Sequence, residues 1–358
     1  MQTLRNRTFL PLKFYFDKKI RKLNFIFFEL TQKCNLNCVH CGSDCTKDSN
    51  TVDLPAEVVL KTLKEIKKKY DSHKITIILS GGEPSIYPGV WELGKKIIDL
   101  EFPWGMVTNG LAWDERTLQK AKESRMHSVT VSIDGLEESH NWFRNNPKSF
   151  RKAKNALKMF IKTPEIYKKD VMTCVHSRNL HELDEIYEML KKMGLKRWRL
   201  TPVDPIGRAK LNPDLLMKPH EFIQFLDKIK EFRSRNEMEV RYACNGYLGP
   251  NYEYEVRPRP FFCMAGINVA GVMVDGSILA CPNIDRKFSQ GNVYNDSLID
   301  IWENKFKHFT DRSWKKTDKC TNCSEWKLCQ GGPMHLWNPD DKTLTLCHYK
   351  DIIAKGEK

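Results

Sequence analysis

Three cysteines, Cys34, Cys38 and Cys41, lie within one eight-residue span, directly after an apolar run. Thiolates are the soft ligands that iron–sulfur clusters take. Three of them fill three corners of a four-iron cube, so the fourth iron is open to a cofactor or a substrate. The alternative is a zinc site, completed by a fourth ligand from elsewhere such as Cys45.

A second group of cysteines lies near the C-terminus. Four of its thiols are enough for a fully ligated cluster or for a zinc ribbon: Cys320, Cys323, Cys329 and Cys347. Upstream, Cys263 and Cys281 stand at the two ends of a predicted hairpin that contains Asp275-Gly276. The distribution predicts two metal-bearing regions.

The chain has 358 residues, twelve cysteines and a net charge of +14. No run of residues is long and apolar enough for a membrane span, and the first ten residues do not form a signal peptide, so we expect a cytoplasmic protein. Such a compartment favours metal-binding over disulfide-bonded cysteines. The charge suggests a zinc-dependent nucleic-acid binder as one alternative, although the basic residues are spread along predicted helix faces.

The elements that must position these cysteines alternate between buried strands and amphipathic helices. Six strands are predicted at 25–30, 75–79, 105–107, 128–133, 171–175 and 197–200. Buried strands that alternate with helices predict a parallel sheet of the α/β class. Six units favour a partial (βα)6 TIM-like barrel over a closed one, with an open doubly wound sheet as the alternative, and either fold places its chemistry at the carboxyl ends of the strands.

The alternation ends near Met238, where Gly, Pro and cysteine become frequent. We therefore predict an N-terminal strap on the barrel at 1–22, a core at 23–237 and a small cysteine-rich α+β cluster domain at 238–358. The strap is basic and aromatic over 13–22. Contact with a membrane surface or an acidic partner is an alternative for that segment.

The first cysteine loop, followed by Gly-Gly-Glu-Pro after the second strand, resembles the radical S-adenosylmethionine (radical SAM) superfamily over roughly residues 24–205. The resemblance implies a [4Fe–4S] cluster on Cys34, Cys38 and Cys41, with S-adenosylmethionine on the open iron. One electron, from a reductant such as flavodoxin or ferredoxin, then cleaves the sulfonium to methionine and a 5′-deoxyadenosyl radical, which takes a hydrogen atom from the substrate. The cofactor performs the hard chemistry, and the protein positions it.

Polar groups and glycines at the strand ends are the expected contacts of S-adenosylmethionine. Glycines let the backbone approach the methionine part closely, His40 is a planar ring for packing, and Arg144 is a candidate partner for the carboxylate, with a surface arginine as the alternative. For Asp134, the alternative to a cofactor contact is a structural role in an Asx-type turn at Asp134-Gly135. The full predicted set is His40, Ser80, Gly81, Gly82, Glu83, Thr108, Asn109, Ser132, Asp134 and Arg144.

The C-terminal cysteines resemble the SPASM extension, which holds auxiliary [4Fe–4S] clusters. The set of four ending at Cys347 is complete, but Pro333 stands where the family has a further cysteine. At Cys263 and Cys281 three outcomes are therefore open: Cys244 serves as a third ligand, a single cluster uses a mixed set as in the shorter twitch domains, or the two thiols are structural. We expect at least one auxiliary cluster.

The SPASM resemblance implies a peptide or protein substrate, and the alternative is a small molecule handled with one auxiliary cluster. Pro282-Asn283 follows Cys281 where sulfatase-maturing relatives have a basic aspartate, which disfavours formylglycine formation. The sequence segments 102–110, 139–142 and 312–317 resemble those of a SPASM subgroup associated with a lipoprotein. The sequence does not identify a catalytic residue.

Overall fold

The computed structural model describes residues 2–356, with side chains described over 9–355. Its centre is one nine-stranded sheet in the order β7-β6-β5-β4-β3-β2-β1-β8-β9. The strands are β1 Phe25–Thr31, β2 Thr76–Gly81, β3 Trp104–Thr108, β4 Ser128–Ser132, β5 Lys168–Val175, β6 Arg197–Pro202, β7 Glu239–Tyr242, β8 Val269–Val272 and β9 Ile278–Leu279. All neighbouring pairs are parallel except β8 with β9.

Helices alternate with the strands as the apolar stripes predict. The α-helices are α1 Gln2–Ile20, α2 Ala56–Lys67, α3 Val90–Asp99, α4 Glu115–Glu123, α5 Glu137–Phe143, α6 Ser149–Ile161, α7 Leu183–Lys192, α8 Pro219–Ser234 and four short ones, α9 Leu298–Asp300, α10 Lys307–Thr310, α11 Trp326–Cys329 and α12 Ala354–Gly356. The stripe of α6, for example, buries Phe150, Ala153, Leu157 and Phe160.

The strand order decides between the two architectures. From β1 to β7 each strand pairs with the next one along the chain. A doubly wound sheet would reverse that order at a switch point, so the observed order is that of an open, barrel-like sheet. The α/β class and the parallel sheet are confirmed. All carboxyl ends of β1 to β7 lie at one edge, which is where the predicted polar motifs are.

The sheet extends beyond the six predicted strands at both sides. β7 pairs with β6, and β8 pairs with β1 through Phe25 to Val269 and the three following pairs. All three additional strands come from the predicted cluster domain, so backbone hydrogen bonds cross the division at 237/238. That division remains a prediction.

The N-terminal segment forms α1, and its described contacts are with the C-terminal part of the chain rather than the barrel helices. Phe14 stacks on Phe262 with ring centroids 4.0 Å apart, and Lys18 Nζ donates to Gln330 Oε1 at 3.1 Å. The strap, predicted to lie on the barrel, therefore packs against residues of the predicted cluster domain. Within the described residues, no helix has the length and apolarity that crossing a bilayer requires.

Candidate functional site

The first cysteine loop leaves β1 and returns to it. Cys34 N donates to Thr46 O at 2.9 Å, which closes the loop at its base. The side chains of Cys34 and Cys38 are buried and that of Cys41 is half-buried. They pack together with the buried Cys45. The loop alone thus brings the three predicted cluster ligands together.

The thiols of this loop differ in acidity. Burial raises the pKa of Cys34 to about 12 and raises that of Cys38, although the Arg144 charge opposes the second shift. A hydrogen bond from Cys45 lowers the pKa of Cys41 to about 6. The Cys45 thiol also lies 3.7 Å from Ser43 O, to which it donates. Metal ions bind thiolates, so binding at Cys34 and Cys38 must displace protons.

The two glycines after β2 lie directly against the start of the loop. Gly82 N donates to Thr31 O at 2.7 Å. A Cβ atom on Gly81, which has φ +128°, would lie 2.2 Å from Thr31 O, and one on Gly82 would lie 2.1 Å from Lys33 O. Glycine is therefore required here by the close approach of the chain to itself.

Glu83, the acidic residue of the same motif, joins β2 to β3. Its Oε1 accepts from the Thr108 hydroxyl at 2.6 Å and from Ser85, and its Oε2 accepts from Asn109 N at 2.8 Å. The Thr108 hydroxyl in turn accepts from Trp113 Nε1 at 2.9 Å. Both predicted cofactor contacts, Glu83 and Thr108, thus use their side chains to connect strand ends.

Asn109 reaches the cysteine loop itself. Its Nδ2 donates to Asn35 Oδ1 at 2.8 Å and lies 3.8 Å from Cys34 Sγ. Of the two predicted serines, Ser80 donates to Phe28 O at 3.4 Å, and Ser132 ends β4 half-buried. The structure brings Asn109 to the cluster ligands and keeps both serines at the strand ends.

Arg144 and Asp134 form a buried ion pair. Arg144 Nε and Nη2 lie 2.6 and 2.5 Å from Asp134 Oδ2, and Arg144 Nη1 lies 3.7 Å from Cys38 Sγ. Burial opposes ionisation of Asp134, but the Arg144 charge outweighs it and lowers the pKa of Asp134. Arg144 is therefore not a surface arginine. It is directed at a cluster ligand, and its predicted role as partner of the methionine carboxylate remains a prediction.

His40 stacks on protein. Its ring is 3.8 Å from that of Phe143, with 5° between the planes, and Phe143 stacks on His176 at 4.4 Å. Burial holds the pKa of His40 well below its ordinary value. The ring is neutral and fixed, with one face occupied by Phe143.

The loop after β6 is hydrogen-bonded to the cysteine loop, a contact that the sequence did not predict. Arg208 Nε donates to Cys38 O at 2.8 Å, and both of its terminal nitrogens donate to Cys45 O at 3.0 Å. Gly207 has φ +52°, and a Cβ there would lie 2.2 Å from Cys41 O. Gly207 and Arg208 follow a predicted strand, but nothing in their position along the chain indicated that they contact the cysteine loop.

The four C-terminal cysteines line one cavity. Cys320, Cys323, Cys329 and Cys347 surround it together with Gly331 and Gly332. Burial raises the pKa of Cys320 to about 11. Four thiols around one cavity fit the predicted fully ligated cluster.

Of the remaining thiols, Cys263 is buried, Cys281 is half-buried and Cys244 is exposed. Burial raises the pKa of Cys281 to about 12, and the thiols of Cys263 and Cys244 add to that rise. Among the described residues, no three His, Cys, Asp or Glu side chains converge on a single ion. A cubane cluster binds each thiolate at a different iron, so its ligands need not converge on one point.

Asp204, just beyond β6, connects the barrel to the cluster domain. Its carboxylate accepts from Asn245 Nδ2 at 2.6 Å and lies 3.1 Å from the Nε2 atoms of His335 and His348. Burial alone would raise the pKa of Asp204, but His348 and His335 outweigh it and lower that pKa. This group of hydrogen-bonded side chains was not predictable from the sequence, because its members lie far apart along the chain.

A cavity of about 730 Å³ lies between the cysteine loop and the cluster domain. Its walls come from the cysteine loop (Gly42, Ser43, Asp44), the loop after β6 and the segments 282–286 and 335–340. Charged groups of both signs line it: Glu29, Asp44, Lys210, Asp285, Arg286 and Asp340. The cavity is open and polar, and it adjoins the cysteine loop at Gly42, directly after Cys41.

Comparisons with known proteins agree with this geometry. Residues 28–190 match the radical SAM superfamily and residues 263–324 match the SPASM iron–sulfur cluster-binding domain. An AdoMet-dependent heme synthase of Methanosarcina barkeri is 25% identical over 86% of this chain and 90% of that protein. A cysteine-type anaerobic sulfatase-maturating enzyme of Clostridium perfringens is 26% identical over 91% and 93%. The solved structure of anSMEcpe with bound AdoMet and Cp18Cys peptide covers 94% of each chain at 21% identity, with a TM-score of 0.70.

These matches decide the class of protein. They confirm the radical SAM and SPASM resemblances, and the non-catalytic nucleic-acid binder is wrong. Radical SAM and SPASM domains use S-adenosylmethionine and [4Fe–4S] clusters. The chain is a radical SAM enzyme with a C-terminal SPASM domain.

Proposed function

We propose that this enzyme modifies a peptide or protein side chain by radical chemistry. The observation that carries the proposal is the open, polar cavity of about 730 Å³ between the cysteine loop and the cluster domain. An enclosed apolar pocket would suit a compact small molecule, whereas an open groove with charges of both signs suits a polar chain. The sulfatase-maturating relative and the peptide-bound solved structure support this choice.

Cys34, Cys38 and Cys41 would hold the cluster that, when bound, supplies the electron for cleavage of S-adenosylmethionine. The protein's contribution is positional. Arg208 and Asn109 fix the loop from two sides, and Arg144 places positive charge next to Cys38. Gly81 and Gly82 allow the strand ends to meet.

We assign two auxiliary clusters to these donor sets, one to the four thiols that line one cavity and one to Cys244, Cys263 and Cys281. Pro282-Asn283 offers no carboxylate beside the second set, so the reaction differs from formylglycine formation. A flavodoxin or ferredoxin is the proposed reductant. Twelve free thiols suit a reducing, cytoplasmic location.

The test is anaerobic reconstitution followed by iron and sulfide analysis, EPR spectroscopy and assay of 5′-deoxyadenosine. We expect about twelve irons per chain, four for each of three cubane clusters, and reductive cleavage of S-adenosylmethionine. A loaded and reduced enzyme that forms no 5′-deoxyadenosine would contradict the enzyme class. About four irons, unchanged by loss of Cys320 and Cys323, would contradict the auxiliary clusters.

A small-molecule substrate is the second candidate, because one of the relatives is named a heme synthase. Hydrogen–deuterium exchange of the loaded enzyme with candidate peptides encoded beside it separates the two. Protection of the segments 282–286 and 335–340 by a peptide supports the first candidate. Protection by none of them, with turnover of a small molecule, supports the second.

A further inference from the structure

Two cations are buried in the cluster domain without a carboxylate partner. Lys315 is completely buried and Arg312 is 2% exposed. In the part of the chain that the structure describes, neither forms an ion pair with Asp or Glu, in contrast to the buried Arg144. Lysine and arginine are almost never fully buried unless they are paired, so the two require an explanation.

Their polar contacts are few. Lys315 Nζ donates to Gly332 O at 3.1 Å, and Arg312 donates to Phe309 O and to Cys263 O. Arg312 Nη1 is buried with no hydrogen-bond partner. Backbone carbonyls compensate only part of two full charges, and one donor is left without an acceptor.

Aromatic faces surround the same two cations. The Arg312 guanidinium lies 4.4 Å from the Phe262 ring centroid, and Lys315 Nζ lies 5.7 and 5.4 Å from those of Trp314 and Trp337. Such contacts contribute about 0.5–2 kcal/mol each. That is less than the cost of removing a charge from water, which is several kcal/mol for each ion.

Both cations contact the two cysteine sets directly or through a neighbouring residue. Arg312 donates to the backbone carbonyl of Cys263. Lys315 Nζ donates to Gly332 O, and Gly332 lines the cavity that the four C-terminal thiols surround. The pair thus lies between the two sets.

We propose that Arg312 and Lys315 form a shared counter-charge for two anionic iron–sulfur clusters, one on each cysteine set. The inference rests on the proposed function, which assigns both sets to clusters. A neutral thiol gives these cations no countercharge, whereas thiolates bound to iron do. Positive charge favours the more negative, reduced state of a cluster, so the pair raises the reduction potential at both sites.

The test uses full-length protein with Cys34, Cys38 and Cys41 replaced by Ala, so that only auxiliary clusters are loaded. Lys315→Met removes one charge and preserves the length of the side chain. We expect redox titration followed by EPR to show both auxiliary signals shifted to more negative potentials. Lys316→Met, at the exposed neighbouring lysine, is the matched control and leaves both unchanged. Lys315→Arg restores the wild-type potentials.

Unfolding of the metal-free protein separates this role from a structural one. Replacing an unpaired buried charge by an apolar side chain is neutral or stabilising. We therefore expect Lys315→Met to unfold at the same or a higher urea concentration than its parent. Lower stability without metal, combined with unchanged potentials in the loaded protein, would show that Lys315 is structural and overturn the proposal.

The remaining outcomes are equally decisive. A shift of one signal alone, or a parent that loads about four irons instead of about eight, overturns the shared counter-charge. Arg312→Gln provides an independent second variant if Lys315→Met does not fold. In all these cases the chain with its three loop cysteines intact still forms 5′-deoxyadenosine, so failure of the counter-charge is distinguishable from failure of the proposed radical chemistry, which absence of that product would show.

Discussion

The two metal-bearing ends of the molecule are built in opposite ways. At the first loop, the ligands are contiguous in sequence, and the arginine that faces Cys38 is neutralised by Asp134. In the cluster domain, the ligands come from segments between Cys244 and Cys347, and the buried Arg312 and Lys315 have no carboxylate partner among the described residues. The charge of Arg144 beside the first site is thus compensated before metal binds, whereas those of Arg312 and Lys315 are not.

This difference indicates what each site depends on. The first loop is held by hydrogen bonds from Asn109 and Arg208, so its shape is set by the barrel. The second region gains its missing negative charge only when thiolates are bound to metal. We expect the first loop to keep its fold without iron and the cluster domain to be stabilised by iron.

The largest expected effect tests the first site. Replacing Cys34, Cys38 and Cys41 together by Ala should abolish formation of 5′-deoxyadenosine, measured by chromatography after anaerobic reduction. Cys45→Ala is the matched control, because Cys45 is buried in the same loop. It should retain activity if Cys45 is only a hydrogen-bond donor. Loss of product in that control would make Cys45 a ligand and revive a four-thiol site.

The next effect tests the contact between the glycine pair and the loop. In Gly82→Ala the new Cβ would lie 2.1 Å from Lys33 O and 3.1 Å from the Cβ of Cys34. The loop must move, and most of the loop cluster's iron should be lost on gel filtration while the auxiliary EPR signals remain. Gly89→Ala is the control, because a Cβ atom there would meet no other atom within 4 Å. Its only cost is the left-handed backbone, with φ +75°, which is unfavourable for alanine by about 1–2 kcal/mol. Equal iron loss in both variants would refute the steric argument.

A smaller effect tests the connection between the two regions at Asp204. Asp204→Asn leaves an amide facing the Asn245 donor and removes the charged acceptor that lies 3.1 Å from the ring nitrogens of His335 and His348. We expect the free energy of unfolding at pH 7 to fall by about 3–5 kcal/mol, because two hydrogen bonds to a charged group are weakened, measured by urea denaturation of the metal-free protein.

The pH dependence of this effect follows from the lowered pKa of Asp204. The advantage of the wild type is complete above the unfolded-state pKa, about 3.9. It shrinks as the pH falls below that value through the folded-state pKa. Asp340→Asn, at an exposed carboxylate paired with Lys287, should cost under about 1 kcal/mol. An advantage that grows on acidification would show that Asp204 is not the group responsible.

The smallest effect concerns the hydrogen bonds between Arg208, after β6, and the first loop. Arg208→Met removes the bonds to Cys38 O and Cys45 O but leaves the loop cysteines and the Asn109 contact in place. We expect faster loss of iron from the loop cluster to a chelator, followed by EPR. Lys210→Met, at an exposed residue of the same segment, is the control. Unchanged iron loss in Arg208→Met would mean that the loop holds its shape alone.

The sequence predicted the features that depend on neighbours along the chain. The six strands and the first cysteine loop follow from local spacing, and the resemblance predicted Gly81 and Gly82 as close contacts of the methionine part. The structure gave those glycines a further reason, since they contact Thr31 and Lys33 of their own chain. The structure adds a hydrogen bond between Glu83 and Thr108 across the strand ends, and their contact with the cofactor remains a prediction.

Features that depend on distant partners were not predictable. Arg208 meets Cys38 across 170 residues, and Asp204 meets His348 across 144. Nothing in Arg-Ser-Trp-Lys-Lys distinguishes the buried Lys315 from the exposed Lys316. That choice is made by Gly332 and Trp337, whose position depends on the fold of the whole cluster domain.

The pairing of β8 with β1 has a consequence for how the chain is made and divided. β1 emerges first from the ribosome among the strands, yet one of its two edges has no partner until Val269–Val272 has been synthesised. An unpaired, apolar strand edge is a template for association with other chains. A fragment that ends before Val269 would expose that edge beside the cysteine loop permanently, and we expect it to aggregate. The radical-forming half of this enzyme therefore depends on its last third for solubility.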